Sequence, residues 1–155
     1  MSNITVIRNK KNPLSHFYIC KFYYDGIEFH SSAQCFQYLK AKHVGDQERV
    51  NIIIKSRNPF KCFITGRQIK NCDKNIEYNY MYIAAKTKFT YNKGLSMYLR
   101  KTGTSIICQP SKRDRYWGIG LQYNDPKIQM QQNWKGKNET GRILMRIREE
   151  ILHDG

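Results

Sequence analysis

The strongest constraint on the fold of this sequence is the distribution of residues that end secondary structure. Four such signals divide the chain: Lys11-Asn12-Pro13, Asp25-Gly26, Pro59 and Gly103. Proline and glycine interrupt helices and strands, and an Asp-Gly pair is typical of a tight turn between two strands. The chain therefore folds into short elements.

Short apolar segments between these signals predict the strands. Residues 4–8 form one strand, and residues 106–108 form a short buried strand. Residues 17–20 and 27–29 are the arms of a hairpin that turns at Asp25-Gly26. The sequence therefore predicts a small β-sheet.

Helices are predicted from capping residues and apolar stripes. The first is capped by Ser31 and Ser32 and runs to about Val44. The others cover residues 47–55, 74–90, 93–101 and a C-terminal helix that Asn138 caps, with an apolar stripe of Ile143, Leu144, Ile147 and Ile151. The second must end near Asn58, because a proline disfavours helix in the residue before it. The fold class is therefore α+β: a mostly helical single domain over residues 1–155 with a small β-sheet.

The net charge of +15, from 27 Lys+Arg against 12 Asp+Glu, favours a polyanionic partner such as nucleic acid or a phosphorylated nucleotide. The basic residues are spread along the chain in small groups, at residues 8–11, 55–61, 67–70, 112–115 and 135–137. Tyr116, Trp117 and Trp134 lie among them and can stack on bases or sugars. The alternative is a compositional bias toward Lys, Asn, Ile and Tyr, and charge alone does not separate DNA from a small phosphate.

The composition also indicates the compartment. The longest apolar run, residues 80–85, is much shorter than the roughly 20 residues that span a bilayer, and the first residues lack the apolar segment of a signal peptide. The 5 Cys are dispersed and have no CxxC spacing, which is typical of free thiols in a reducing compartment. We therefore expect a cytoplasmic protein with no membrane partner.

Signatures of the common catalytic and nucleotide-binding classes are absent from the sequence. It contains no G-x-S-x-G, GxxxxGK[ST], HExxH or GxGxxG motif. The 4 His lack the spacing of metal ligands. We therefore expect neither a metal nor a cofactor.

Residues 114–121 are the most informative stretch for chemistry. Asp114, Trp117, Gly118 and Gly120 combine an acid, an indole and two glycines within one loop. Glycine lets the backbone approach a ligand, Trp offers a stacking face, and Asp can accept a proton or stabilise positive charge. The alternative interpretation is a tight turn anchored by a core Trp, with Asp as its cap.

Six segments along residues 13–152 match, in order, the motifs of one family. They are Leu14-Ser15-His16-Phe17-Tyr18; Asp25-Gly26-Ile27-Glu28-Phe29 with residues 31–41; residues 59–67, ending in Gly66-Arg67; Lys88-Phe89 with Asn92 and Leu95; residues 114–120; and Gly136, Asn138, Gly141, Leu144 and Met145. In this pattern the chain resembles the NADAR (YbiA-like) family, which implies a YbiA-like fold.

Members of that family are N-glycosidases, so the resemblance implies hydrolysis of the C1′–N bond of an N-riboside. The implied substrates are ADP-ribose on guanine in nucleic acid, which the charge favours, and the phosphorylated ribosylamino-pyrimidines of riboflavin biosynthesis. An oxocarbenium-like transition state needs a carboxylate near C1′, a positioned water and donors for the departing base. The alternative from another class is a catalytically inactive module that binds ADP-ribose or nucleic acid.

The resemblance also implies the site residues. The catalytic positions are Ala33, which occupies the family's Glu position, and Asp114. The substrate-binding residues are Ser15, Phe17, Tyr18, Gln34, Arg67, Lys88, Trp117, Gly118, Gly120 and Asn138. Arg67 and Lys88 suit the substrate phosphates, although either can equally be a solvated surface charge, and Trp117 suits stacking on the base or ribose.

Four positions depart from the family pattern. Ala33 replaces a Glu, Gln109 stands at a second acidic position, Asp73 stands near a missing Trp, and His16 replaces an Asn. Losing a carboxylate at the reacting centre costs orders of magnitude in rate. Ala33 therefore predicts an inactivated glycosidase that keeps its pocket, whether the substitution is engineered or natural.

Overall fold

Short elements build the described part of the fold, and side chains cap α-helices that begin at Ser32, Gln47, Pro59 and Lys74. The computed structural model describes residues 3–154, so Met1, Ser2 and Gly155 of the predicted domain lie outside it. In chain order the strands and helices are β1 (Ile4–Val6), β2 (Phe22–Tyr24), β3 (Ile27–Phe29), α1 (Ser32–Val44), α2 (Gln47–Lys55), α3 (Pro59–Gly66), α4 (Lys74–Tyr91), α5 (Lys93–Lys101), β4 (Ile106–Cys108) and α6 (Glu139–Asp154), with two short 3₁₀ helices at Pro126–Gln129 and Gln131–Asn133. The predicted mostly helical α+β fold is confirmed.

The described residues group into two compact units. One is Ser15–Leu95, and the other comprises residues 3–14 and 96–154, so the division falls within α5. The prediction of a single domain over residues 1–155 stays a prediction. Within the described range, no helix is both long enough and apolar enough to cross a membrane.

Helix α1 is the centre of the Ser15–Leu95 unit and packs against α2, α3 and α4. Ser31 caps it as predicted, because its side chain accepts the backbone N–H of Gln34 at 3.1 Å. Residues 32–41 are all buried. The buried ammonium of Lys40 is 3.1 Å from the Glu77 carboxylate on α4, so the charge inside this helix packing is paired.

The predicted hairpin is present, but its first arm is β2 and not residues 17–20. Asp25 and Gly26 have φ angles of 56° and 74°, the left-handed values that a two-residue hairpin turn requires. Such a turn pairs Tyr24 directly with Ile27 and Phe22 with Phe29. The residues just before the turn therefore form the strand, which places the first arm at Phe22–Tyr24.

Helix α3 is the α-helix that the sequence prediction missed, and the two 3₁₀ helices are also absent from that prediction. The predicted end of α2 before Pro59 is confirmed, since α2 covers Gln47–Lys55. Pro59 then begins a new helix, where its missing N–H leaves nothing unpaired, and Asn58 caps it by accepting the N–H of Phe60 at 2.9 Å. The predicted helices 74–90 and 93–101 are α4, one residue longer, and α5.

The second unit is built on a parallel pair of strands, β1 and β4, in which Ile4 lies opposite Ile106. Helix α6 packs on β4 with its buried apolar stripe of Ile143, Leu144 and Ile147. A further core cluster consists of Cys108, Ile119, Leu121 and Ile128, with Ile4, Val6 and Trp134 packed against it. The Trp134 indole N–H donates to the Ile128 carbonyl at 2.9 Å, so this ring has a structural role.

Asn138 directly precedes α6, as predicted for its cap, and its carbonyl accepts the backbone N–H of Arg142 at 3.0 Å, but its side chain bonds elsewhere. Its amide oxygen accepts the backbone N–H of Gln109 at 3.0 Å, and its amide nitrogen donates to the Ile107 carbonyl at 2.9 Å. The side chain therefore closes the end of β4. Gly141 lies against the same strand, since a Cβ there would overlap the Ile107 carbonyl oxygen.

We predict that Asn138→Ala lowers the free energy of unfolding by about 3 kcal/mol, because one buried and one partly buried backbone group lose their partner. Urea denaturation measures the change. The matched control is Asn133→Ala, whose amide makes one exposed bond to the Lys127 carbonyl and should cost less than about 0.5 kcal/mol. Equal losses in the two variants would contradict the role given to Asn138.

Candidate functional site

The first turn of α1 is docked onto the loop that carries Ser15 and His16. The His16 carbonyl accepts the backbone N–H of Ala33 at 3.0 Å, and His16 Nδ1 lies 3.0 Å from Ser32 Oγ. Ala33 is 5% exposed, and the first turn of α1 contains no acidic residue. Position 33 is therefore an enclosed site at a helix N-terminus, where the helix dipole favours negative charge.

Lys88 brings a buried ammonium to this loop. Its Nζ donates to the Ser15 carbonyl at 2.9 Å, and the side chain is 1% exposed. The ammonium lies 5.5 Å from the ring centre of Tyr18 and 4.9 Å from that of Phe89. Burial lowers the pKa of Lys88 to about 8. The structure thus brings Ser15, Tyr18 and Lys88 together, and the predicted contact between Lys88 and a phosphate stays a prediction.

His16 is the site residue that motif matching alone did not select. Burial, and then the charge of Lys88, lower its pKa to about 3, so the imidazole is neutral at physiological pH. Its Nε2 is buried and has no hydrogen-bond partner among residues 3–154. The sequence offered one signal for it, which is the departure from the family's Asn at this position.

These groups can support proton transfer and charge stabilisation. A lysine with a pKa near 8 exchanges protons close to physiological pH, and a neutral imidazole can donate or accept one hydrogen bond. A carboxylate is missing from the first turn of α1. In the described part of the chain no cluster of His, Cys, Asp and Glu is arranged to hold a metal ion.

Phe17 and Arg67 meet through a third residue, Phe63. The Phe17 and Phe63 rings pack edge to face with centres 5.8 Å apart. The Arg67 guanidinium lies 5.8 Å from the Phe63 ring centre, and Phe60 stacks on Phe63 at 6.3 Å. This arrangement places two predicted substrate-binding residues in one aromatic and cationic cluster.

The side-chain amide of Gln34 forms hydrogen bonds with backbone groups. Its amide oxygen accepts the N–H of His30 at 2.8 Å, and its amide nitrogen donates to the carbonyls of Ile53 and Ser56 at 2.9 and 2.7 Å. The side chain therefore ties α1 to the end of α2. Its predicted contact with substrate stays a prediction.

In the other unit, Asp114 caps a tight turn. Its Oδ1 accepts the backbone N–H groups of Tyr116 and Trp117 at 2.9 and 2.8 Å. The Trp117 ring is half-buried and packs edge to face against Tyr116, with ring centres 4.8 Å apart. The alternative of a tight turn with Asp114 as its cap is therefore present, and a catalytic role for Asp114 stays a prediction.

The glycines of this loop allow close packing of backbone. A Cβ on Gly118 would lie 2.9 Å from the Ser111 side chain, and the Gly118 carbonyl accepts the N–H of Asn138. Gly120 has a φ of 76°, which favours glycine, and lines a surface cavity of about 250 Å³ with Lys112, Leu121, Gln122, Asp125 and Lys135. These bonds give Gly118 and Asn138 structural roles within the loop, and their predicted substrate contacts stay predictions.

Comparisons with known proteins agree with this fold. The model of the NADAR domain family matches residues 5–152. The NMR structure of the E. coli protein YbiA superposes with a TM-score of 0.79 at 24% identity, covering 99% of this chain and 88% of that one. The likeness to YbiA shows a shared fold.

Three relatives illustrate the sequence similarity. The chain is 33% identical over 131 residues to protein irg-1 of Caenorhabditis elegans, covering 81% of this chain but only 62% of that protein. It is 31% identical over 137 residues to N-glycosidase R617 of Acanthamoeba polyphaga mimivirus, covering 84% and 81%. It is 28% identical over 142 residues to riboflavin biosynthesis protein VVA0006 of Vibrio vulnificus, covering 89% and 35%.

Burial of Lys88 predicts a specific pH dependence of stability. Its pKa falls from 10.5 in the unfolded chain to about 8 in the folded one, so the unfolded state binds more protons between these values. The free energy of unfolding therefore gains up to about 3 kcal/mol from this group as the pH rises through that window.

The measurement is urea denaturation of this chain and of Lys88→Met at pH values below 8 and above 10. We expect the stability of Lys88→Met relative to this chain to be highest at the lower pH and to shrink as the pH rises. Comparing the two proteins cancels the titration of groups on which Lys88 does not act, such as the Cys35 and Cys108 thiols. A difference that does not change with pH would mean that Lys88 titrates as an exposed lysine.

Proposed function

This chain belongs to the NADAR domain family, and on that premise we propose that it is an N-glycosidase fold that acts on the C1′–N bond of an N-riboside. One relative, from a mimivirus, is named as an N-glycosidase, and that name supports the reaction class. The structural observation that carries the proposal is the buried ammonium of Lys88, held on the Ser15 carbonyl beside the first turn of α1. A cation there can stabilise the negative charge of a departing base or of a phosphate.

The substrate that we propose is ADP-ribose attached to guanine in nucleic acid. The net charge of +15 supports a polyanionic substrate. A second candidate is a phosphorylated ribosylamino-pyrimidine, because another relative is named as a riboflavin biosynthesis protein. In either reaction water adds to C1′, and the nitrogen of the departing base takes the electron pair of the broken bond and a proton.

Position 33 is where the proposed catalytic site lacks a carboxylate. An oxocarbenium-like transition state carries positive charge near C1′, and a carboxylate stabilises that charge. Position 33 is enclosed and lies in the first turn of α1, where the helix N-terminus favours a carboxylate, but alanine supplies none. We therefore propose that this chain retains substrate binding and turns substrate over slowly.

The first test compares this chain with Ala33→Glu on guanine-ADP-ribosylated DNA, with released ADP-ribose measured by mass spectrometry. We expect Ala33→Glu to release ADP-ribose at least about 100-fold faster, because it restores a carboxylate near C1′. Ala33→Gln is the matched control, since it has the same size without the charge, and it should stay as slow as this chain.

Equal rates in this chain and in Ala33→Glu would contradict the role given to position 33. Release from a phosphorylated ribosylamino-pyrimidine but not from the DNA would favour the second substrate. Binding of ADP-ribose without release by either protein would favour an inactive binding module.

The second test concerns the charge of Asp114. Asp114→Asn in the Ala33→Glu background keeps a side-chain oxygen that can accept the N–H groups of Tyr116 and Trp117, but removes the negative charge. We expect turnover to be abolished while the thermal unfolding midpoint is retained. Asp125→Asn is the control, because Asp125 caps a turn in the same way through the N–H of Lys127. Full activity of the Asp114 variant would remove that carboxylate from the mechanism.

A further inference from the structure

Helix α3 exposes its large apolar side chains and buries its small residues. Phe60 is 60% exposed and Ile64 is 47% exposed, and together with the half-buried Phe63 they follow the spacing of one helix face. Cys62 and Gly66, on the other side, are buried. Leaving such a face in water costs hydrophobic free energy, and exposed apolar patches of this kind mark binding surfaces.

The packing against α1 fixes this orientation. A Cβ on Gly66 would overlap the side-chain amide of Gln37, so α3 lies close to this side chain of α1. The Gly66 carbonyl also lies 3.4 Å from the Lys40 ammonium. Rotating the helix to bury Phe60 and Ile64 would push large side chains into this contact. This packing therefore favours the orientation in which the apolar face of α3 is exposed.

The surroundings of this face are positively charged. Residues 55–70 contain five basic residues and no acidic residue. All five are exposed: Lys55, Arg57, Lys61, Arg67 and Lys70. In the described range none of the five lies within ion-pair distance of a carboxylate, although the charge of Arg57 acts on the Glu28 carboxylate and helps to lower its pKa. An apolar and aromatic strip within net positive charge is complementary to bases joined by phosphates.

The strip is also continuous with the candidate site of the same unit. Phe63 contacts Phe17, and Phe17 directly follows His16, whose carbonyl holds the first turn of α1. The strip is therefore linked through Phe17 to the loop that holds the first turn of α1.

We propose that the α3 surface, defined as Phe60, Lys61, Phe63, Ile64 and Arg67, docks single-stranded nucleic acid. This proposal rests on the proposed function and adds the way in which the nucleic-acid substrate is held. Phe60 stacks on a base through its exposed ring, and Lys61 and Arg67 contact the flanking phosphates. A protein partner would instead bury the apolar volume of Phe60 and Ile64, and the test separates the two.

The test measures fluorescence anisotropy of a labelled, unmodified DNA single strand of about 12 nucleotides with the full chain. We expect Phe60→Ala to weaken affinity about tenfold with an unchanged salt dependence. Phe60→Leu should weaken the affinity by as much, because leucine keeps apolar volume but has no ring face. Lys61→Gln should reduce the slope of log affinity against log salt by about 0.7, the value for one phosphate contact on a single strand.

The matched control is Tyr98→Ala, an aromatic side chain that is 41% exposed on α5 and lies close in sequence to Arg100 and Lys101. The affinity of Tyr98→Ala for the DNA single strand should equal that of the unaltered chain. Thermal unfolding of each variant checks that the fold is retained. No binding by the unaltered chain, full affinity of Phe60→Leu, or an equal loss in Tyr98→Ala would each overturn the proposal.

The proposal of a docking surface and the proposal of a reaction can be contradicted by different results. Release of ADP-ribose from a nucleoside-sized guanine substrate by Ala33→Glu, without binding of the single strand, would overturn the α3 surface and leave the N-glycosidase function in place. Single-strand binding that depends on Phe60 and Lys61 would support the docking surface. If, in addition, neither the unaltered chain nor Ala33→Glu releases ADP-ribose, the proposed reaction would be overturned.

Discussion

Unpaired backbone groups at the ends of short elements are the constraint on which both units depend. Each helix leaves N–H and carbonyl groups without intrahelical partners, and burying them unpaired is costly. In the Ser15–Leu95 unit the Gln34 amide satisfies the N–H of His30 and the last carbonyls around α2. In the other unit the Asn138 amide satisfies the end of β4. Buried amides thus replace the hydrogen bonds that longer elements would have made for themselves.

This constraint explains which parts of the fold could be predicted from the sequence. The cap at Ser31 and the turn at Asp25-Gly26 act on residues close in sequence, so local patterns identify them. The parallel pairing of Ile4 with Ile106 joins distant segments, and no local pattern specifies it. Helix α3 was missed because a proline was interpreted only as the end of α2, although it also begins helices well.

The residues of the candidate site could likewise be predicted only in part, because their roles depend on contacts between distant segments. Motif matching selected Ser15, Ala33 and Lys88, and the structure brings them together around His16. It also selected Gln34 and Asn138, whose amides are engaged by the backbone. A polar residue that faces a ligand and one that closes a helix end have the same sequence signal. Burial distinguishes them, and burial depends on tertiary packing. The lowered pKa of Lys88 could not be foreseen for the same reason.

On the proposed function, the Ser15–Leu95 unit separates the residues that give affinity from the position that would carry the chemistry. A carboxylate at position 33 would act on charge that develops only in the transition state, so its absence lowers the rate and leaves ground-state contacts intact. The contacts of α3 with phosphates and bases would be made equally in the ground state and the transition state. On the proposed function, the exposed apolar face of α3 and its basic neighbours would therefore serve binding rather than turnover in a chain that has alanine at position 33.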